Sequence, residues 1–167
     1  GNTTHAVGTV VGVFMGGLAL GGWWGGRQAD RRSGGALLSL YALLEAGVAL
    51  SALAVPLLIA ASEPLFRVLW NALSGAPLVY GGLRVLLVGV ILLVPTTLMG
   101  ATLPVLTRAL AEHADERERR LGALYAANTA GGALGALLGA YLFLPALGLL
   151  GTLALAACAS GAVGALS

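Results

Sequence analysis

Long apolar stretches, broken by short polar clusters, run through this chain from end to end. Five of them, at residues 3–26, 36–61, 85–107, 122–144 and 147–166, match the roughly 20 residues that a helix needs to cross a hydrocarbon core of about 30 Å. The first is uncharged apart from His5 near its start, and Glu45 alone interrupts the second. The third contains Pro95 and Pro104, which predict a bend or break there. Thr96, Thr97 and Thr102 are placed to satisfy carbonyls that the prolines free. Pro145 and Gly148 predict a tight turn between the fourth and fifth stretches. The pattern therefore predicts an all-α fold: a polytopic transmembrane helix bundle of five spans, one domain over residues 1–167.

Composition strengthens this picture. Of 167 residues, 58% are hydrophobic, 26 are Gly and only 10% are charged, whereas a soluble domain carries about 25% charged residues. That is too little polar surface to cover a water-soluble globule, and it excludes disorder as well. The pI of about 9.1 reflects nine basic residues against seven acidic ones, a surplus of two. Such a surplus is no phosphate-binding face, so no nucleic-acid partner is expected. The one cysteine, Cys158, lies in an apolar run and cannot form an internal disulfide.

All nine basic residues are Arg, and their placement sets the expected orientation. Arg27, Arg31 and Arg32 follow the first stretch; Arg108, Arg117, Arg119 and Arg120 follow the third. The opposite side holds Arg67 and Arg84. The positive-inside rule then puts residues 27–35 and 108–121 in the cytoplasm, the N-terminus of this chain outside and the C-terminus inside. In the outer connection, 62–84, the run Pro64, Leu65, Phe66, Val68, Leu69, Trp70 and Leu73 carries Arg67 and Asn71. It reads either as an interfacial segment with its rings at headgroup level or as a short helix on the end of the bundle. Gly75, Pro77, Gly81 and Gly82 are expected to return the chain to the bilayer.

Glycine supplies the packing pattern. Gly12, Gly16, Gly17, Gly21, Gly22, Gly25 and Gly26 put small residues on adjoining faces of the first helix, and Ala127, Gly131, Gly135 and Gly139 do so on the fourth. Small residues let helix backbones approach closely in lipid, so both helices are expected to pack tightly on neighbours. No two glycines are spaced i, i+2, and no glycine precedes a Lys, which excludes a Rossmann G-x-G core and a Walker A loop. No Ser/His/acid set or Cys/His cluster appears, and His5 and His113 fall on opposite sides of the membrane. The chain is expected to hold no catalytic residue, metal or cofactor, and not to be an enzyme by itself.

The polar residues within the stretches carry the candidate chemistry. Glu45 lies about ten residues into the second span, where an ionisable group is costly unless it is paired, protonated or facing a cavity. It reads as a proton or cation site, or as a structural carboxyl bonded to an adjacent helix. Thr96, Thr97, Asn128 and Arg108 are its possible polar neighbours. Asn128 and Thr129 read first as interhelical ties. His5 is a pH-sensitive group or a plain interfacial side chain. Asn2-Thr3-Thr4 fits a glycosylation sequon, but Arg-only basic usage and Gly/Ala richness point to a bacterial inner membrane. The charged run 112–120 reads as a solvated helix end.

Residues Gly26-Arg27-Gln28-Ala29-Asp30-Arg31-Arg32-Ser33-Gly34 resemble the G-x-x-x-D-R-x-x-R/G signature between the second and third helices of major-facilitator transporters, departing from it at Ser33-Gly34-Gly35. The resemblance implies that Asp30 and Arg31 join a gating charge network at cytoplasmic helix ends, with Gly26 letting helices approach. Asp30 would there meet the helix starting near Gly122 or an arginine of 108–120; otherwise it offsets three arginines in a solvated turn.

A broader likeness covers nearly the whole chain. Gly1-Asn2-Thr3-Thr4-His5-Ala6-Val7, Phe14-Met15-Gly16-Gly17-Leu18-Ala19-Leu20-Gly21, Tyr41-Ala42-Leu43-Leu44-Glu45, residues 95–104 and Leu124-Tyr125-Ala126-Ala127-Asn128-Thr129-Ala130-Gly131 resemble, in order, the membrane part of bacterial fused spermidine-synthase-like proteins. That family implies a further helix before this chain and a cytoplasmic, aminopropyltransferase-like Rossmann domain after it. With the extra helix, the bundle would form part of a major-facilitator half. The implied role is a membrane module that binds or transports a polyamine or related small amine. The alternative is a non-transporting scaffold or accessory subunit, with lipid and other transmembrane helices or subunits as partners.

Overall fold

The computed structural model describes residues 2–73, 75–110 and 117–166. The side chains of Asn2, Thr3, His5 and residues 111–120 lie outside the described residues, and with them the expectations placed on His5, His113, the sequon and the charged run. All described elements are helical: α1 Asn2–Asp30, α2 Gly35–Ala72, α3 Pro77–Ala109, α4 Arg117–Leu138 and α5 Leu144–Leu166, with a π-turn, Gly139–Phe143, joining the last two. Local chemistry sets their ends. Gly34 takes φ 55, a left-handed conformation suited to glycine, just before α2. Pro77 opens α3, where its missing N–H costs nothing. Arg27 and Arg108 sit in the last turns of α1 and α3, where a cation complements the helix dipole.

Helix α3 is the centre of the bundle. α1 packs along one flank of it and α2 along another, while α5 packs along α2. Where α1, α2 and α3 meet, Ala29, Leu37, Leu40, Tyr41, Leu44, Ala101 and Val105 form the buried core, with Leu98, Leu106 and Ala109 against it. Most other large apolar side chains point outward; Leu57 is 70% exposed and Leu86 64%. An outer surface of that kind suits lipid and not water.

The break expected at Pro95–Pro104 does not occur. α3 runs unbroken through both prolines, as α2 does through Pro56 and Pro64. Each proline leaves the carbonyl four residues earlier without its usual donor, and hydroxyls bond the backbone close by. Thr96 Oγ1 donates to the Leu92 and Leu93 carbonyls at 2.9 and 3.1 Å. Thr102 donates to Met99 at 2.8 Å, Ser62 to Ile59 at 2.7 Å and Ser51 to Val48 at 2.9 Å. These bonds fall on neighbouring carbonyls and not on those of Ala52, Ala60, Ile91 and Gly100 that the prolines free, so the helices run on without side-chain compensation from these hydroxyls.

Four helical stretches are long and apolar enough to cross a membrane: Val7–Asp30, Gly35–Ala72, Pro77–Ala109 and Leu121–Leu166. This corrects the expected count of five. The fourth and fifth expected spans form one helical stretch, because Pro145 and Gly148 kink the chain without turning it back. The Leu144 N–H donates to the Gly139 carbonyl, a five-residue reach whose wide turn makes room for the proline that follows. Gly148 takes φ 68, ψ −178, a conformation open essentially to glycine alone. Helix resumes immediately, and Thr152 Oγ1 donates back to the Gly148 carbonyl at 2.8 Å. α4 and α5 do not pack side by side.

The 62–84 connection is also shorter than expected. Its first residues are the last turns of α2, the chain reverses over 73–76, and Gly81 and Gly82 lie inside α3. The Ala76 N–H closes that reversal on the Leu73 carbonyl at 2.8 Å.

Candidate functional site

Glu45 lies half-buried on α2, beside α5. A Cβ at Gly164 would stand 3.1 Å from the Glu45 Cβ and 3.3 Å from the Ala42 carbonyl, so glycine at 164 is what lets α5 approach here. Tyr41 precedes Glu45 by one helical turn, the spacing that puts two side chains on one face. The two side chains interact electrostatically across that turn. Tyr41 is itself buried at 8% exposure, so its ring is fixed by the core. Gly47, two residues on, sits against Leu98 of α3, where a Cβ would stand 3.1 Å from Leu98 Cδ1. Among the described residues no ion pair reaches Glu45. The seam thus holds a carboxyl and a phenol, a pair able to hold a proton or face a cation.

The other candidates do not join this seam. Thr96 is buried at 5% exposure on the α1 side of α3, wedged on Gly17, with its hydroxyl committed to backbone carbonyls. The Thr97 carbonyl lies where a side chain at Gly21 would have to go. Asn128 is exposed on α4, and its neighbour Thr129 donates to the Tyr125 carbonyl at 2.9 Å without tying two helices together. Arg108 is exposed at the end of α3. Glu45, the Thr96–Thr97 pair and Asn128 therefore occupy three separate surfaces.

The loop motif is similarly dispersed. Asp30 and Arg31 are exposed, and among the described residues neither forms an ion pair. Arg32 turns back on α1, where its guanidinium donates to the Gln28 carbonyl at 3.0 Å. The Arg27 guanidinium stacks 4.0 Å from the Trp23 ring centre. Gly26 has open space around it. Gly25, the residue before it, is among the glycines that bring α1 onto α3; its added Cβ would lie 2.7 Å from Ala101 Cα.

Two residues beside Glu45 are not among the sequence candidates. Tyr41 stands four residues before it, a spacing that the sequence displays; Gly164 carries no comparable signal. Among the described residues, no three His, Cys, Asp or Glu side chains gather as a metal would require. Comparison with known proteins adds no relative: no family model, curated protein or solved structure matches this chain.

Proposed function

We propose that this chain is a membrane-embedded helical module that handles a small cation, an amine or a proton, at Glu45 in the seam between α2 and α5. The observation that carries this reading is the placement of Glu45. Of the acidic residues within the apolar stretches, Asp30 is exposed at the end of α1 and Glu63 is exposed and paired with Arg67, whereas Glu45 is half-buried and has no ion-pair partner among the described residues. A lone carboxyl retained at such depth is costly and marks an ion or proton path by default. Glycine at 164 puts no side chain of its own over it. The motif likeness to spermidine-synthase-like proteins supports an amine, and the arginine distribution supports a bacterial inner membrane with the α1–α2 loop and the end of α3 on the cytoplasmic side. In this reading Asp30 and Arg31 bias the cytoplasmic surface.

Reconstitution in vesicles tests it. Glu45→Gln should abolish amine or proton flux, and Tyr41→Phe should reduce it. Unchanged flux in Glu45→Gln would remove the carboxyl from the mechanism.

A second reading, a scaffold within a larger membrane assembly, is favoured by α4. Its Gly131 and Gly135, with Gly139 of the π-turn, face open space, although such stripes serve helix association in lipid. Stable co-purification with an unrelated membrane complex, together with absence of flux, would decide for the scaffold.

A further inference from the structure

At the far end of α2, away from Glu45, the reversal into α3 forms an open groove of about 440 Å3. Two guanidinium groups line it, Arg67 from α2 and Arg84 from α3, against one carboxylate, Glu63. Glu63 and Arg67 pair at 3.5 Å with side chains 65% and 78% exposed. An ion pair that open contributes at most about 1 kcal/mol, so Arg67 is readily available to a better partner. Arg84 has no carboxylate partner among the described residues and instead lies 5.6 Å from the Phe66 ring centre. Trp70 meets Tyr80 edge-on, with ring centres 5.1 Å apart and planes at 75°, which makes a firm aromatic wall. Asn71 and the Tyr80 hydroxyl add neutral hydrogen-bond donors.

We infer that this groove binds a phosphate group, presented by the headgroup of an anionic phospholipid. Planar guanidinium forks match phosphate oxygens two at a time, and aromatic contact restricts the Arg84 fork before the ligand arrives. The net positive lining repels amines, so the groove cannot belong to the Glu45 path. Its position favours a lipid over a free anion. Tryptophan and tyrosine are enriched at headgroup level, and Leu78, 90% exposed, and Val79, 53% exposed, begin α3 beside the groove, where acyl chains would lie. Basic pockets beside membrane helices bind anionic headgroups in this way.

The test uses the full chain in nanodiscs of zwitterionic phospholipid doped with phosphatidylglycerol, with retained lipid read by native mass spectrometry. Arg84→Gln and Arg67→Gln should each weaken phosphatidylglycerol retention about tenfold, the typical loss for a charge-assisted hydrogen bond. Arg84→Lys should recover part of the loss, and the zwitterionic lipid should be unaffected. Asn71→Ala, at an exposed position, should lower retention less and guards against misfolding of the arginine variants. Undiminished retention in the double arginine variant would overturn the site. So would an equal loss in an Arg32→Gln control, which would reveal a general charge effect. Inorganic phosphate that displaces the lipid at equimolar concentration would assign the groove to a free anion and overturn the lipid as its ligand.

Discussion

Helices α1 and α4 carry the same kind of small-residue stripe, yet only one of them is used. On α1, Gly17, Gly21 and Gly25 lie directly on Thr96, Thr97 and Ala101 of α3, and Gly100 of α3 answers by seating against Leu18. On α4 and the π-turn that follows it, Gly131, Gly135 and Gly139 meet nothing within 4 Å. The difference lies in the partner. α3 offers a reciprocal small surface, Gly100-Ala101, so both backbones can approach; among the described residues no helix is seated on the glycines of α4. A small-residue stripe marks capacity for close packing, and complementarity decides whether the capacity is used.

The sharpest way to break this comparison is to make the same substitution on both stripes. Gly25→Val should cost about 3 kcal/mol or more, because the new Cβ meets the Ala101 backbone, which cannot move aside as a flexible side chain would. Gly135→Val, with open space around it, should change stability by less than about 0.5 kcal/mol. Unfolding of both variants in detergent, followed by helical signal, checks the pair. Comparable losses would show that α4 is covered after all. A smaller effect is expected at the kink: Gly148→Ala should cost about 1–3 kcal/mol, since φ 68 with ψ −178 is strained for any residue with a Cβ. Spin labels at Ala133 and Ala156 should then move apart as the stretch straightens. Smallest is Thr96→Val, which keeps the shape against Gly17 but loses the bonds to Leu92 and Leu93. It should cost about 1 kcal/mol, whereas Thr129→Val on α4 should cost less, with the difference read from the same unfolding curves.

Much of the architecture was legible because it depends on local composition. Apolar length and sparse charge predict long helices with lipid-facing surfaces, and the α1 stripe lies where small residues permit close approach. Span count was less legible. Pro145 and Gly148 have the composition of a turn, but the outcome rests on a π-turn at 139–143, which leaves no mark in composition. The prolines of α3 do not break it, since one missing donor at each leaves the rest of the helix ladder in place. The candidate site was half legible. Glu45 stands out by charge alone, whereas its grouping with Thr96 or Asn128 required knowing which way each helix faces. That is set by packing on α3 and cannot be read from spacing within one helix.

The kink at Gly148 also bears on how this chain meets a bilayer. The stretch Leu121–Leu166 has 46 residues, about 69 Å at 1.5 Å per residue, more than twice a hydrocarbon core of about 30 Å. Hydrophobic mismatch of that size demands tilt, bending or exit from the lipid. α5 is held by α2, so the adjustment falls on α4 and on Gly148 near the start of α5, where the chain takes its positive φ. Thinner lipid increases the mismatch, and the angle between α4 and the rest of α5 is the coordinate left to absorb it.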